Sequence, residues 1–124
     1  MVGARVLVVD DSSFMRKRLK SILEKAGHKV VGTARDGREG FELYESTRPD
    51  LVIMDITMQG IDGIEGARLI KREFPSARIV FMSLVEDEGI RKQAKELDAL
   101  GFLGKKEHER LLDIIAAINS KEEG

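Results

Sequence analysis

Five side chains of this 124-residue chain could do chemistry together: Asp10, Asp11, Asp55, Ser83 and Lys105. Four of them follow apolar runs. Arg5-Val-Leu-Val-Val9 leads into the acidic pair, Leu51-Val-Ile-Met54 into Asp55, and Ile79-Val-Phe-Met82 into Ser83, while Lys105 follows the short run 100–103 by two residues. Continuous apolar runs of this length are the pattern of strands buried on both faces, as in parallel sheets. Burying an unpaired carboxylate is costly, so Asp55 belongs at the strand's carboxyl end, within reach of solvent or a cation. In open α/β sheets that edge is also where ligands bind. Three carboxylates gathered there repel one another, which favours protonation of one or capture of a cation. Oxygen donors with no His or Cys beside them suit Mg²⁺. The Ser83 hydroxyl and Lys105 ammonium are then left to hold an anion beside the metal, a set suited to phosphoryl chemistry. Singly, Asp10-Asp11 could cap a helix, Ser83 could end a strand and Lys105 could face water. Their joint placement at successive strand ends points to a site.

The elements that must position them alternate. Strand Arg5–Val9 is followed by a helix over residues 13–26, with N-cap oxygens from Ser12 and Ser13 and a stop at Gly27. Met15, Leu19, Ile22, Leu23 and Ala26 form its apolar stripe. The strand Lys29–Ala34 is less apolar and so suits an edge. A helix over 38–46 ends before Pro49, since the residue preceding proline is pushed out of helical geometry. The strand Leu51–Asp55 comes next, then a helix over 64–74, broken by Pro75. A strand over 77–83, a charged helix over 86–97, a short strand over 100–103 and a helix over 107–119 complete the series, with 120–124 as a frayed tail. Five such alternations predict a parallel sheet with right-handed crossovers, helices on both faces and strands 1, 3 and 4 at the centre.

Bulk composition fits one domain over residues 1–124, with a core of about 4–119. Hydrophobic residues make up 42% and charged residues 35%, too apolar for a disordered chain. With 21 basic and 22 acidic residues the formal charge is −1, which argues against nucleic acid as the main partner. The absence of cysteine excludes disulfides and thiolate metal sites. No apolar run approaches a membrane span and the N-terminus lacks a signal-peptide pattern, so the expected location is the cytoplasm.

The ordered set resembles the receiver domains of two-component response regulators over nearly the whole chain, from Arg5 to about Ile118. The pieces that carry the resemblance are Asp10-Asp11, Asp55, Met58 and Gly63 in the next loop, Ser83, Phe102 and Lys105, with the family's spacing. The stretch from Asp10 to Lys17 is most similar to the stand-alone receivers of the chemotaxis branch. The resemblance implies a flavodoxin-like, doubly wound sheet of order 2-1-3-4-5. It implies Asp55 as phosphoacceptor, and Mg²⁺ held by Asp10, Asp11, Asp55 and the backbone carbonyl of Thr57. Lys105 would pair with a phosphoryl oxygen, Ser83 would hydrogen-bond another, and Phe102 would move inward with Ser83. The chain would then be a phosphorylation-controlled switch rather than an enzyme acting on an outside substrate. Its donor would be a histidine kinase or phosphotransfer protein. A protein target would read the face of helix 4, strand 5 and helix 5, the chain being a monomer or weak homodimer.

Four positions depart from the family pattern: Lys106 and Gln59 where proline is common, Leu84 where Ala or Gly is preferred, and Asp98 where glycine is usual. Leu84 should crowd the phosphate and, with Thr57 and Val85, modulate its hydrolysis. Phe14 lies off the first helix's stripe, one turn from Asp10-Asp11, and is expected at the site's rim as a docking point for the donor. Two rival readings remain: a pseudo-receiver that binds proteins without phosphate, and a Mg²⁺-dependent phosphohydrolase, for which the sequence places no general acid or base.

Overall fold

Every residue of the central strand β3 (Leu51–Asp55) is buried, as its unbroken apolar run requires. The computed structural model describes residues 3–56, 62–84 and 87–123, with side chains as far as Ile118. Around β3 the chain runs β1 (Arg5–Val9), α1 (Ser13–Lys25), β2 (Lys29–Ala34), α2 (Gly37–Thr47), then after β3 α3 (Gly63–Glu73), β4 (Ile79–Ser83), α4 (Glu88–Glu96), β5 (Gly101–Gly104) and α5 (His108–Glu123). The strands form one parallel sheet of order β2-β1-β3-β4-β5, the expected flavodoxin-like arrangement, with the less apolar β2 at an edge.

Alternate strand residues feed two separate cores. Leu7, Val9, Val52, Met54, Ile79 and Phe81 pack with Tyr44, Ala67, Ile70 and Ala94, so α2, α3 and α4 cover one face. Val6, Val8, Leu51, Ile53, Val80 and Met82 pack with Leu19, Leu23, Leu111 and Ile115, so α1 and α5 cover the other. Each such buried aliphatic side chain contributes about 1.5–3 kcal/mol relative to exposure. On α5 the apolar arc is divided: Leu111, Ile115 and Ile118 are buried, whereas Leu112 and Ile114 are half-buried at the margin.

Several boundaries differ from the sequence expectation, each for a local reason. β4 begins at Ile79 rather than residue 77, because after Pro75 the Ala77 amide turns back to the Phe74 carbonyl at 2.9 Å. α2 begins at Gly37, since the Asp36 carboxylate caps it by accepting from the Glu39 amide at 2.9 Å. Ala26 is the C-cap of α1 and exposed, outside the buried stripe. α5 continues through Glu123, across the segment expected as a tail. Among the described residues, no helix is long and apolar enough to cross a membrane.

The carboxyl end of α2 is closed both by its own C-cap and from outside the helix. Arg48, at φ 45°, is its left-handed C-cap, and the Arg48 guanidinium lies 4.2 Å from the centre of the Phe74 ring. The Arg5 guanidinium of β1 donates to the carbonyls of Thr47 and Arg48 at 2.7 and 2.8 Å, and its amide donates to the Asp50 carboxylate at 2.8 Å.

Glycine is required where α2 meets α3. A Cβ on Gly66 would sit 2.8 Å from the Gly37 Cα, a backbone atom that cannot swing aside. Gly66→Ala should therefore lower unfolding stability by about 1–3 kcal/mol, the usual cost of overpacking. Urea denaturation measures this; an unchanged midpoint would show that the two helices separate freely.

Candidate active site

Strand register brings the chemical groups together at the sheet's carboxyl edge. Val9 pairs with Met54, Asp55 with Met82, and Ser83 with Gly104, so Asp10, Asp55, Ser83 and Lys105 end neighbouring strands or directly follow them. The Lys105 amide also donates to the Ser83 carbonyl at 3.2 Å, which ties the start of the last loop to the end of β4. Asp10, Asp55 and Ser83 are the buried polar residues among those described, at 2%, 3% and 4% exposure.

Lys105 lies between the two buried acids. Its Nζ is 3.0 Å from Asp10 Oδ2 and 3.1 Å from Asp55 Oδ2, and its own side chain is only 9% exposed. Asp10 is held from a second side, because its Oδ1 accepts from the Ser12 amide at 2.9 Å. Ser12 in turn caps α1 by accepting from the Met15 amide, and Arg16 reaches back to donate to the Asp10 carbonyl at 2.8 Å. Asp11 is exposed beside this pair. Asp10, Asp11 and Asp55 can each turn one carboxylate oxygen into a group lying within 4.8 Å of one another. That all-oxygen set fits a small hard cation such as Mg²⁺.

The electrostatics follow from this packing. Burial is the largest influence on Asp55 and pushes its carboxyl up from 3.8 to about 6, with the neighbouring Asp10 charge adding to the rise. Lys105 opposes that rise through its charge and its hydrogen bond, and Asp11 adds a smaller upward push. For Lys105 burial alone would lower the pKa. The hydrogen bond to Asp10 and the charges of Asp55 and Asp10 outweigh burial and hold its pKa above the ordinary lysine value.

Gly63 has a role at the site that its turn-like sequence context conceals. A Cβ there would overlap the Asp55 carbonyl oxygen, and the Gly63 amide donates to the Ile56 carbonyl at 3.1 Å. A side chain at 63 would push α3 away from the end of β3. In the sequence Gly63 counts only as part of the family resemblance, with no sign of this contact. Arg16 gave less signal still, since its contact runs to a backbone carbonyl.

Among the described residues, Phe14, Leu84 and Phe102 lie apart from the buried cluster. Phe14 is 69% exposed, beside a groove of about 570 Å³ lined also by Lys17, Arg18, Ile22, Lys25 and His108. Leu84 directly follows Ser83 and is 77% exposed. Phe102 is half-buried against the α2–α4 core, with the Arg91 guanidinium 4.7 Å from its ring centre. Thr57, Met58, Gln59 and Val85 lie outside the described residues. The Lys105–Lys106 peptide is trans. Asp98, replacing a glycine, still takes the left-handed conformation at φ 56°, which aspartate tolerates better than most residues.

Comparisons with known proteins agree with this geometry. Residues 6–117 match the family described as the response regulator receiver domain. The chain is 41% identical over 104 residues to the chemotaxis protein CheY of Thermotoga maritima, covering 84% of this chain and 87% of that protein. It superposes on the crystal structure of the CheX-CheY-BeF3-Mg+2 complex from Borrelia burgdorferi with a TM-score of 0.88 and 30% identity, covering 94% of this chain and 90% of that one. The response regulator domain of Thermotoga maritima CheB gives a TM-score of 0.84 at 38% identity, covering 96% and 98%.

The raised Asp55 pKa has a measurable stability consequence in metal-free buffer. The folded state holds this proton more tightly than the unfolded chain, so the contribution favours folding below about pH 4 and is lost as pH rises through about 6. Asp55→Asn lacks that loss. Its stability relative to wild type should climb between about pH 4 and 7 and level off about 1–3 kcal/mol higher. Urea unfolding in chelator across this range is the measurement, and a difference independent of pH would contradict it.

Proposed function

Because the chain belongs to the response regulator receiver domain family, we propose that it is a phosphorylation-controlled switch whose acceptor is Asp55. The observation that carries this reading is Lys105 Nζ shared between Asp10 and Asp55 beside a third carboxylate. One Asp55 oxygen attacks phosphorus of a phosphohistidine on a kinase or phosphotransfer protein. The P–O bond forms as the P–N bond breaks, and the imidazole leaves. Catalysis of this kind is mostly positioning and charge neutralisation.

Asp10, Asp11, Asp55 and the Thr57 carbonyl would hold Mg²⁺, which when bound neutralises charge on the phosphoryl oxygens. Lys105 already donates to the attacking carboxylate and passes to a phosphoryl oxygen. The Ser83 hydroxyl, one strand away, donates to another. Its displacement toward the phosphate frees space that the Phe102 ring follows. The face of α4, β5 and α5 changes shape, and a target protein binds that altered face. Leu84 stands next to Ser83, where its bulk narrows the approach of both water and small donors and sets the lifetime of the acyl phosphate.

Intact mass tests the acceptor. With Mg²⁺ and acetyl phosphate the wild-type chain should gain one phosphoryl group, and Asp55→Asn should gain none. Uptake by the variant at normal stoichiometry would refute the assignment, whereas no uptake by either chain would leave a binding module that works without phosphate.

The exposed Phe14 ring, set among Lys17, Arg18 and Lys25 near the acidic site, suits docking of the donor protein. Phe14→Ala should slow transfer from a phosphorylated protein donor about tenfold, which corresponds to about 1.4 kcal/mol, and leave loading by acetyl phosphate unchanged. Equal slowing with both donors would exclude a docking role.

A further inference from the structure

α4 is thinly anchored. Its only fully buried residue is Ala94, helped by the half-buried Ile90 and Leu97. Its start is fixed locally: the Asp87 carboxylate accepts from the Ile90 amide at 3.1 Å, and the Arg91 amide donates to the Asp87 carbonyl at 2.9 Å. Arg91 therefore rides on the first turns of α4, a few residues beyond Ser83. Its guanidinium lies over Phe102, the one aromatic side chain of β5. Phe102 sits opposite Phe81, two positions before the register pair of Ser83 and Gly104.

The ring is not locked by dense packing on every side. A hollow of about 240 Å³ lies beside it, lined by Arg91, Ala94, Lys95, Ala99, Gly101 and Phe102. Gly101 adds no side chain to fill that space. What faces the ring from α4 is a planar cation, attracted to the aromatic face and shielding it from water. Movement of the ring away from α4, or of α4 away from β5, forfeits that contact.

We propose that Arg91 is a latch that holds Phe102 in its resting position, so that the stacked guanidinium opposes the switch until phosphorylation displaces the ring. This regulation rests on the proposed movement of Ser83 and Phe102, and Arg91 acts as a positioning residue with no contact to the reacting atoms. A cation–π contact at an exposed site biases such an equilibrium about two- to fivefold toward the latched state. Arginine suits the role because a flat guanidinium can stack on the ring, while lysine brings only a point charge.

A double-mutant cycle tests it on the whole chain. Arg91→Gln, Phe102→Leu and the double variant are each measured twice: for unfolding in urea without phosphodonor, and for the rate of mass gain with acetyl phosphate and Mg²⁺. Arg91→Gln should load about two- to fivefold faster than wild type. Losing a cation near an anionic donor would by itself act in the opposite direction. In the Phe102→Leu background the same substitution should no longer speed loading, and Arg91→Lys should fall between wild type and Arg91→Gln. Equal effects of Arg91→Gln in both backgrounds, or unchanged loading when only stability shows coupling, would overturn the latch while leaving the phosphoacceptor reading intact. Failure of every chain to gain phosphate would overturn the switch itself, and the latch with it. Coupling in urea would then show the contact to be structural only.

Discussion

Two carboxylates with almost no access to water, Asp10 and Asp55, share one ammonium, Lys105 Nζ, at 3.0 and 3.1 Å. Removing these charges from water is costly, and their mutual attraction repays it only with good geometry and further hydrogen bonds. Both conditions are met by the ends of parallel strands, which fix the three groups on separate elements, and by the Ser12 amide, which satisfies Asp10's other oxygen. The arrangement is still unbalanced. With Asp11 included, three carboxylates stand against one ammonium, an excess of two negative charges when all are ionised. A divalent cation matches that excess, and a phosphoryl group arriving on Asp55 gives Lys105 a new partner without leaving it uncompensated.

The scaffold keeps this charge cluster from distorting the fold by confining it to one edge. Below that edge, every strand position in β3 and β4 is buried. Close backbone approach then replaces side-chain bulk at selected points. Gly63 lets α3 begin directly against the Asp55 carbonyl, and Gly40 receives the Val9 side chain, which immediately precedes Asp10. Asp55 and Asp10 thus rest on strands that have little room to shift.

Much of this was legible in the residues themselves. Short continuous apolar runs are the pattern of strands covered on both faces, and an unpaired carboxylate ending such a run belongs at the edge, so the placing of Asp10 and Asp55 and the order of alternation followed from burial costs. The start of β4 did not, because Ala77 and Arg78 look like strand until the turn from Phe74 is seen. The extension of α5 into a polar segment carried no apolar periodicity to reveal it. Contacts to backbone atoms, such as Arg16 on the Asp10 carbonyl, and contacts across elements, such as Arg91 on Phe102, depend on tertiary placement and have no local signature. Phe14 was legible in part: its place off the apolar stripe foretold its exposure, but not the basic groove beside it.

The closure of α2 bears on how the chain assembles. The last carbonyls of a helix lack intrahelical amide donors, and in α2 the C-cap Arg48 serves the Glu45 carbonyl through its Nε at 3.2 Å. Arg5 supplies the donors from 42 and 43 residues away in sequence. The Thr47 and Arg48 carbonyls gain these donors only once β1 has taken its place in the sheet. The last step of closing the helix is thereby coupled to strand pairing at that corner. Excised as a peptide, the 11-residue α2 would be marginal as a helix even with its Asp36 cap, so the sheet and the Arg5 donors must hold its far end.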